Sequence, residues 1–176
     1  MTSAPKIAPA GEDDGRLLNI FRTLKNNPEL YKAFLALGSY NLRDGRLPAR
    51  DREIVILRVG WRCASEYEFG QHTRLGADAG LSAAEIARLA GGGGSWSDED
   101  AALVALADEL CAHDVVSDQT WGRLAERWDE QQLLELLVLA GFYRLVCGLL
   151  NSVGVALEPT TAGWPDGVDA RRAPRA

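Results

Sequence analysis

Apolar residues recur along this chain at helical spacing almost from end to end. Leu17, Leu18, Phe21 and Leu24 share one face of a 3.6-residue period, which predicts a first helix from a capping Asp14 to about Asn26. Pro28 suits the first turn of a second helix, with Leu30, Phe34 and Leu37 inward. Asn41 to Leu47 reads as a polar turn around Gly45. Pro48 then opens a third helix that Asp51 to Arg62 carries, apolar on most sides through Ile54, Val55, Leu57 and Trp61. A fourth helix runs from about Ala64 to Ala79 and stops at Gly80. Ser82 and Glu85 form a capping box for a short fifth helix to about Ala90. Ser97 and Ser117 cap two more, and a long apolar helix extends from about Glu130 to Val153, ending near Gly154.

No segment alternates with the period of two that a half-buried strand requires, so the fold class expected is all-α. The helical domain spans residues 14–158. Residues 1–13 read as a flexible N-terminus. Residues 159–176, rich in Pro, Gly and Arg, read as an irregular C-terminal tail that is loose or wraps a neighbour.

Composition narrows the possible partners. With 176 residues, 47% apolar, the chain can bury a core as one domain without staples. The net charge of -6 and the absence of a basic stripe argue against nucleic-acid binding. Leu133 to Val155 is apolar but interrupted by Glu135, Arg144 and Asn151, which marks a core helix and not a membrane span. No apolar h-region precedes the domain. Cys63, Cys111 and Cys147 lie far apart without CxxC or metal-type spacing, so they read as free thiols in a reducing cytoplasm and no metal site is expected. The glycine run at 91–94 has no GK[ST] after it and no strand before it, so it reads as a connector.

Candidate chemistry centres on two histidines. His72 follows Glu68 by four residues, so both occupy one helix face. Glu53 lies on the preceding helix, about as far from the turn near Arg62 to Ala64 as His72 is on the other side. Two antiparallel helices should therefore bring them together. A carboxylate bonded to imidazole fixes its tautomer, raises its basicity and permits proton transfer near neutral pH. Trp61 and Tyr67 would line the pocket. The ordinary alternative is a surface Glu–His pair worth a few tenths of a kcal/mol. His113, near a helix end, suits a dipole-capping role. Arg50 and Arg58 could bind an anionic substrate or pair with acids on the surface. Tyr143, Arg144 and Asn151 are polar groups on the apolar last helix, available to a substrate or to local hydrogen bonds.

The segment Leu47-Pro-Ala-Arg-Asp-Arg-Glu53-Ile-Val-Ile-Leu-Arg58, then Glu66-Tyr-Glu68-Phe-Gly-Gln-His72, resembles the core of the carboxymuconolactone decarboxylase family. Gly80-Leu-Ser-Ala-Ala-Glu85-Ile, Val116 to Trp121 and Leu149 to Pro159 extend the resemblance. It implies an AhpD-like helical bundle that assembles as a homotrimer or homohexamer. The AhpD-like peroxidase branch carries a Glu, then CxxC, then a His; here Glu53 and His72 match, but Ser65 and Glu68 stand at the sulfur positions. Cys63 falls two residues too early, and no resolving thiol is apparent near it. The resemblance thus implies the branch lacking the redox motif. Its members are cofactor-free acid/base enzymes, lyases or isomerases, here with His72, Glu53 and Glu68 as catalytic residues and a small organic acid, lactone or enolisable carbonyl compound as substrate. The competing readings are a thiol-dependent alkylhydroperoxidase of peroxiredoxin type using Cys63 and a non-catalytic ligand-binding member.

Overall fold

A computed structural model describes residues 4–11, 15–91 and 94–168. These form eight α-helices: α1 (Asn19–Leu24), α2 (Pro28–Ser39), α3 (Ala49–Arg62), α4 (Glu66–Asp78), α5 (Ala83–Leu89), α6 (Asp98–His113), α7 (Asp118–Ala125) and α8 (Glu130–Val153). No strand occurs among the described residues. Helix α3 is the axis of the fold. Its Ile54, Val55, Ile56, Leu57 and Val59 are fully buried, with α4, α6 and α8 packed around it.

Local chemistry sets most boundaries. Asn27, Ser82, Ser97, Ser117 and Asp129 each accept a backbone N–H of the helix they cap, satisfying donors the first turn leaves unpaired. Ser82–Glu85 and Asp129–Gln132 are complete capping boxes. Gly154, at φ +77°, ends α8 in a left-handed conformation that costs glycine little.

Three boundaries differ from the sequence reading for identifiable reasons. Helix α1 begins at Asn19, because the Asn19 amide is capped at 2.6 Å by Glu158 from beyond α8 rather than by a local acid; the expected cap Asp14 lies outside the described residues. The polar turn after α2 begins as a π-helical turn over Tyr40–Asp44, closed by Gly45 N–H donating to the Tyr40 carbonyl at 2.9 Å. Buried Glu135 holds this segment, accepting from the Tyr40 hydroxyl and the Arg46 amide, each at 2.8 Å. Helix α4 starts two residues late because Ala64 is left-handed, φ +50°, a state that costs an L-residue about 1–2 kcal/mol.

Helices α3 and α4 approach closely at two glycines. A Cβ on Gly60 would stand 3.3 Å from the Phe69 amide nitrogen, and one on Gly76 3.1 Å from Leu57 Cδ1. Without side chains at these positions the two helices close together, and that closeness places Glu53 against His72.

The terminal segments are held by the same bundle. Lys6 N–H donates to the Val153 carbonyl and Ala10 N–H to that of Arg22. After α8 the chain returns over α3 and α4, where Trp164 meets Trp61 and Phe69 at ring-centroid distances of 5.3 and 5.1 Å. Helix α8 is long and apolar enough to cross a membrane by length and composition. In this fold it is a core helix, with Leu136, Leu139, Cys147 and Leu150 essentially inaccessible.

Candidate active site

His72 is clamped from both sides. Its Nδ1 lies 2.6 Å from Glu53 Oε2 on α3, and its Nε2 lies 3.0 Å from Glu68 Oε1 one turn earlier on α4. All three side chains are buried, with Glu53 1% exposed. Burial opposes a charged ring, but the two carboxylates outweigh it through charge and hydrogen bonding and raise the His72 pKa to about 10. The ring is therefore an imidazolium at neutral pH, hydrogen-bonded through Nδ1 to Glu53 and paired in charge through Nε2 with Glu68. The two carboxylates are not equivalent. Glu53 also lies 3.5 Å from Arg52 Nε, whereas the contact with His72 is the one hydrogen bond or ion pair Glu68 makes among the described residues.

The cluster forms part of the wall of a cavity of about 860 Å³ between α1, α2, α3, α4 and α8. Phe34, Leu42, Phe142 and Val146 give it an apolar body, the composition expected for a small organic ligand. Tyr143 stands edge-on to the His72 ring, centroids 5.0 Å apart. Burial, reinforced by the nearby charges of Glu68 and Glu53, pushes its phenol well above the ordinary range, so it stays neutral. The Tyr67 hydroxyl donates to Glu158 at 2.7 Å, and Gln71 donates to the other oxygen of Glu158. Glu158 thus ties the chain after α8 to this wall.

Of the residues expected at the site, Glu53, Glu68, His72, Tyr67 and Tyr143 border the cavity. Three others do not. Trp61 lies behind the site beneath Trp164, and a Cβ on Gly91 would meet its ring. Arg50 is consumed by Asp100, at 2.8 and 2.9 Å, and by Glu85 at 2.6 Å. Arg58 grips Asp108 at 2.6 and 2.8 Å and donates to the Leu89 carbonyl. Both arginines point from α3 toward α5 and α6, away from the cavity. The arginines that border it are Arg43, Arg52 and Arg74, and the buried Arg52 Nε has no hydrogen-bond partner. Helical period gave no signal for Arg52, since around a helix Arg50 lies about 60° from Glu53 and Arg52 about 100°. Away from the cavity, Arg144 pairs with Asp114 and Asn151 donates to the Cys63 carbonyl at 2.8 Å. His113 is the exposed last residue of α6.

Residues 28–109 match the model of the carboxymuconolactone decarboxylase family. Over that stretch, just under half of its length, the chain is similar to that family. The match contains Glu53, Glu68 and His72 but ends before α7 and α8, so Tyr143 and Glu158 lie outside it. No curated protein matches the chain. Among solved structures, the debrominase Bmp8, as a cysteine-to-alanine variant in complex with 2,3,4-tribromopyrrole, is similar at TM-score 0.77 and 14% identity, covering 90% of this chain and 95% of that one. A peroxidase-related protein with an AhpD core from Ralstonia eutropha JMP134 follows at TM-score 0.74 and 18% identity, covering 83% and 80%. A protein of unknown function from Agrobacterium tumefaciens, titled for the antioxidant-defence protein AhpD, has TM-score 0.70 and 18% identity, covering 77% and 94%. These likenesses establish the AhpD-like helical fold.

Ser65 is buried at the α3–α4 turn and Glu68 is buried on α4, the two positions where the sequence reading places the sulfurs of the redox branch. Cys63 stands two residues before Ser65, at the end of α3. Its thiol interacts with those of both Cys111 on α6 and Cys147 on α8. Positions 48 and 84 residues away gave no sequence signal of that meeting.

Proposed function

We propose that the protein is a cofactor-free acid/base enzyme that moves a proton on a small organic acid, lactone or enolisable carbonyl compound. The observation that carries this reading is a histidine clamped between two carboxylates in the wall of a largely apolar cavity. Both ring nitrogens are engaged, so Glu68, with an oxygen not bonded to His72, is the group that meets substrate. His72 stands behind it as proton donor, and Glu53 orients the ring. Abstraction of a proton next to a carbonyl by Glu68 leaves an enolate, and the His72 imidazolium can deliver a proton through Glu68 to the product. Arg52 supplies positive charge at the same wall for a substrate carboxylate. Decarboxylation, isomerisation and dehydration share this enolate chemistry, which supports a lyase or isomerase. Turnover of hydroperoxides is not the reading adopted, because Ser65 and Glu68 occupy the sulfur positions.

Solvent-proton exchange tests the reading without knowledge of the product. Small keto acids, lactones and unsaturated acids are incubated with the protein in D2O and followed by NMR. Deuterium should enter next to the carbonyl of at least one class. Glu68→Gln and His72→Ala should each slow that exchange about 10²-fold, the usual contribution of a general acid/base group. No exchange or turnover in any class, or exchange indifferent to both substitutions, contradicts the proposal.

Assembly into a homotrimer or homohexamer, in the cytoplasm, is part of the same proposal. Leu134, Val138 and Leu145 are exposed along one face of α8, and α2 buries none of its residues within the chain. Apolar faces of this kind suit a subunit interface. Light scattering at micromolar concentration should give three or six times the 19.1 kDa subunit mass; a stable monomer contradicts it.

A further inference from the structure

The cavity beside the acid/base cluster is larger and more aromatic than proton transfer on a small acid requires. Its volume of about 860 Å³ lies among pockets that enclose drug-sized ligands, roughly 300–1,000 Å³. An acid the size of pyruvate would leave most of it to water. One wall is a continuous run of rings. Phe34 on α2 lies 5.0 Å from Phe142 on α8, Phe142 lies 5.5 Å from Tyr143, and Tyr143 lies 5.0 Å from His72, centroid to centroid. All four line the cavity. The run therefore leads from α2, where Leu35 and Arg43 are exposed, to the buried cluster.

Charge sits at the ends of this run. At the buried end Glu53 and Glu68 are balanced by the His72 imidazolium and by Arg52. The contact with Glu53 at 3.5 Å is the one hydrogen bond or ion pair the Arg52 side chain makes among the described residues. Unlike Arg50 and Arg58, it keeps a guanidinium fork free for a carboxylate. At the open end Arg43 and Arg74 are exposed, with Arg74 3.9 Å from Asp78.

We propose that the site takes an aryl-bearing α-keto monocarboxylate, with its carboxylate at Arg52, the carbon between carbonyl and ring at Glu68, and its ring against Phe34 and Phe142. This deepens the acid/base reading and rests on it for placing the reacting carbon at Glu68. Only the Glu53–His72 pair separates Arg52 from Glu68, so carboxylate and acidic carbon must lie close together in the substrate. One carbonyl group separates them in an α-keto acid. The ring then extends along the aromatic wall, where edge-on and offset ring contacts are favourable. Glu68 takes the proton, and the electron pair of the broken C–H bond moves into the carbonyl, giving an enolate conjugated with the ring. Return of the proton to oxygen yields the enol, and return to carbon regenerates the acid. A dicarboxylate is disfavoured, because its second charge would lie unpaired along the apolar wall.

Phenylpyruvate, pyruvate and α-ketoglutarate are titrated into the full-length protein by calorimetry at neutral pH. Phenylpyruvate should bind at least about tenfold more tightly than either of the others, the scale expected for burying one aromatic ring. Phe34→Ala, on a helix that buries none of its residues within the chain, should weaken phenylpyruvate at least about threefold and leave pyruvate unaffected. Arg52→Gln should weaken phenylpyruvate about tenfold; if that variant fails to fold, Phe34→Ala carries the test. No binding of phenylpyruvate, equal binding of the three acids, tighter binding of α-ketoglutarate, or affinity indifferent to the substitutions overturns the proposal. Deuterium exchange next to the carbonyl, followed in D2O against a protein-free control, separates the two readings. Selective binding without accelerated exchange supports the ligand class and counts against acid/base chemistry. Accelerated exchange of pyruvate with no preference for phenylpyruvate overturns the ligand class and leaves acid/base chemistry standing.

Discussion

Two clusters of reactive side chains meet the inner face of α8, and they hold charge in opposite ways. Around His72 the charge is concentrated: one imidazolium lies between two buried carboxylates, all three of them ionic groups drawn from α3 and α4. Around Cys63, at the end of α3, the groups are thiols: interaction with Cys111 on α6 and Cys147 on α8, aided by the charges of Arg144 and Arg62, holds the Cys63 thiol below the ordinary range. The first cluster faces a cavity and is suited to passing a proton to a bound molecule. The second is packed against the core, with two of its three cysteines buried. The comparison also separates what each contributes to stability. A buried charge left unpaired is costly, whereas a thiol replaced by a hydroxyl of similar size is tolerated where water or a polar neighbour is near.

Removing one carboxylate is the strongest way to break that contrast. Glu53→Ala leaves the imidazolium with only Glu68 and should lower unfolding free energy by about 3 kcal/mol, the range for breaking a buried ion pair. Glu53→Gln should cost less, because its amide oxygen still accepts from Nδ1. Urea denaturation checks both.

The next effect is a pH dependence. His72 has its pKa raised from 6.5 to about 10 on folding, so its contribution to stability is fully present below about pH 6.5. It falls as pH rises through the interval and is lost above about 10. Unfolding free energy should therefore decline across that alkaline window in the wild type. The decline should be shallower in His72→Gln, compared at the same pH values.

The smallest effect belongs to the thiols. Cys63→Ser, at a partly exposed helix end, should change stability by no more than about 0.5 kcal/mol, as substitutions outside a packed core usually do. A loss comparable to that of Glu53→Ala would mean the thiol cluster is part of the structural core and would erase the contrast.

The two clusters also differ in how legible they were. Glu68 and His72 are four residues apart on one helix, and Glu53 is related to them by a short turn. Local periodicity therefore suffices to bring the three together. The glycines at 60 and 76 that permit the close approach were visible as residues, but not as the points where α3 and α4 touch. Arg50, Arg52 and Arg58 were equivalent by residue type. Only the positions of Asp100, Glu85 and Asp108 on distant helices reveal that two of them are already paired. The role of Glu158 as cap of α1 and partner of Tyr67 joins residues 139 and 91 positions apart, and the meeting of Cys63, Cys111 and Cys147 is equally long-range. Helical pattern sets the elements and neighbours in sequence; tertiary pairing decides which polar groups stay available.

The central claim is that His72 is a clamped imidazolium, which makes Glu68 the group presented to substrate. Nitrogen-15 NMR of histidine-labelled protein reads this directly, with His113→Gln to assign the two rings. At about pH 7.5, a full unit above the ordinary imidazole pKa, both His72 nitrogens should carry protons, and the ring should lose one only as pH approaches about 10. A His72 ring that is neutral at pH 7.5, or that titrates near 6.5 as a free imidazole does, would contradict the account.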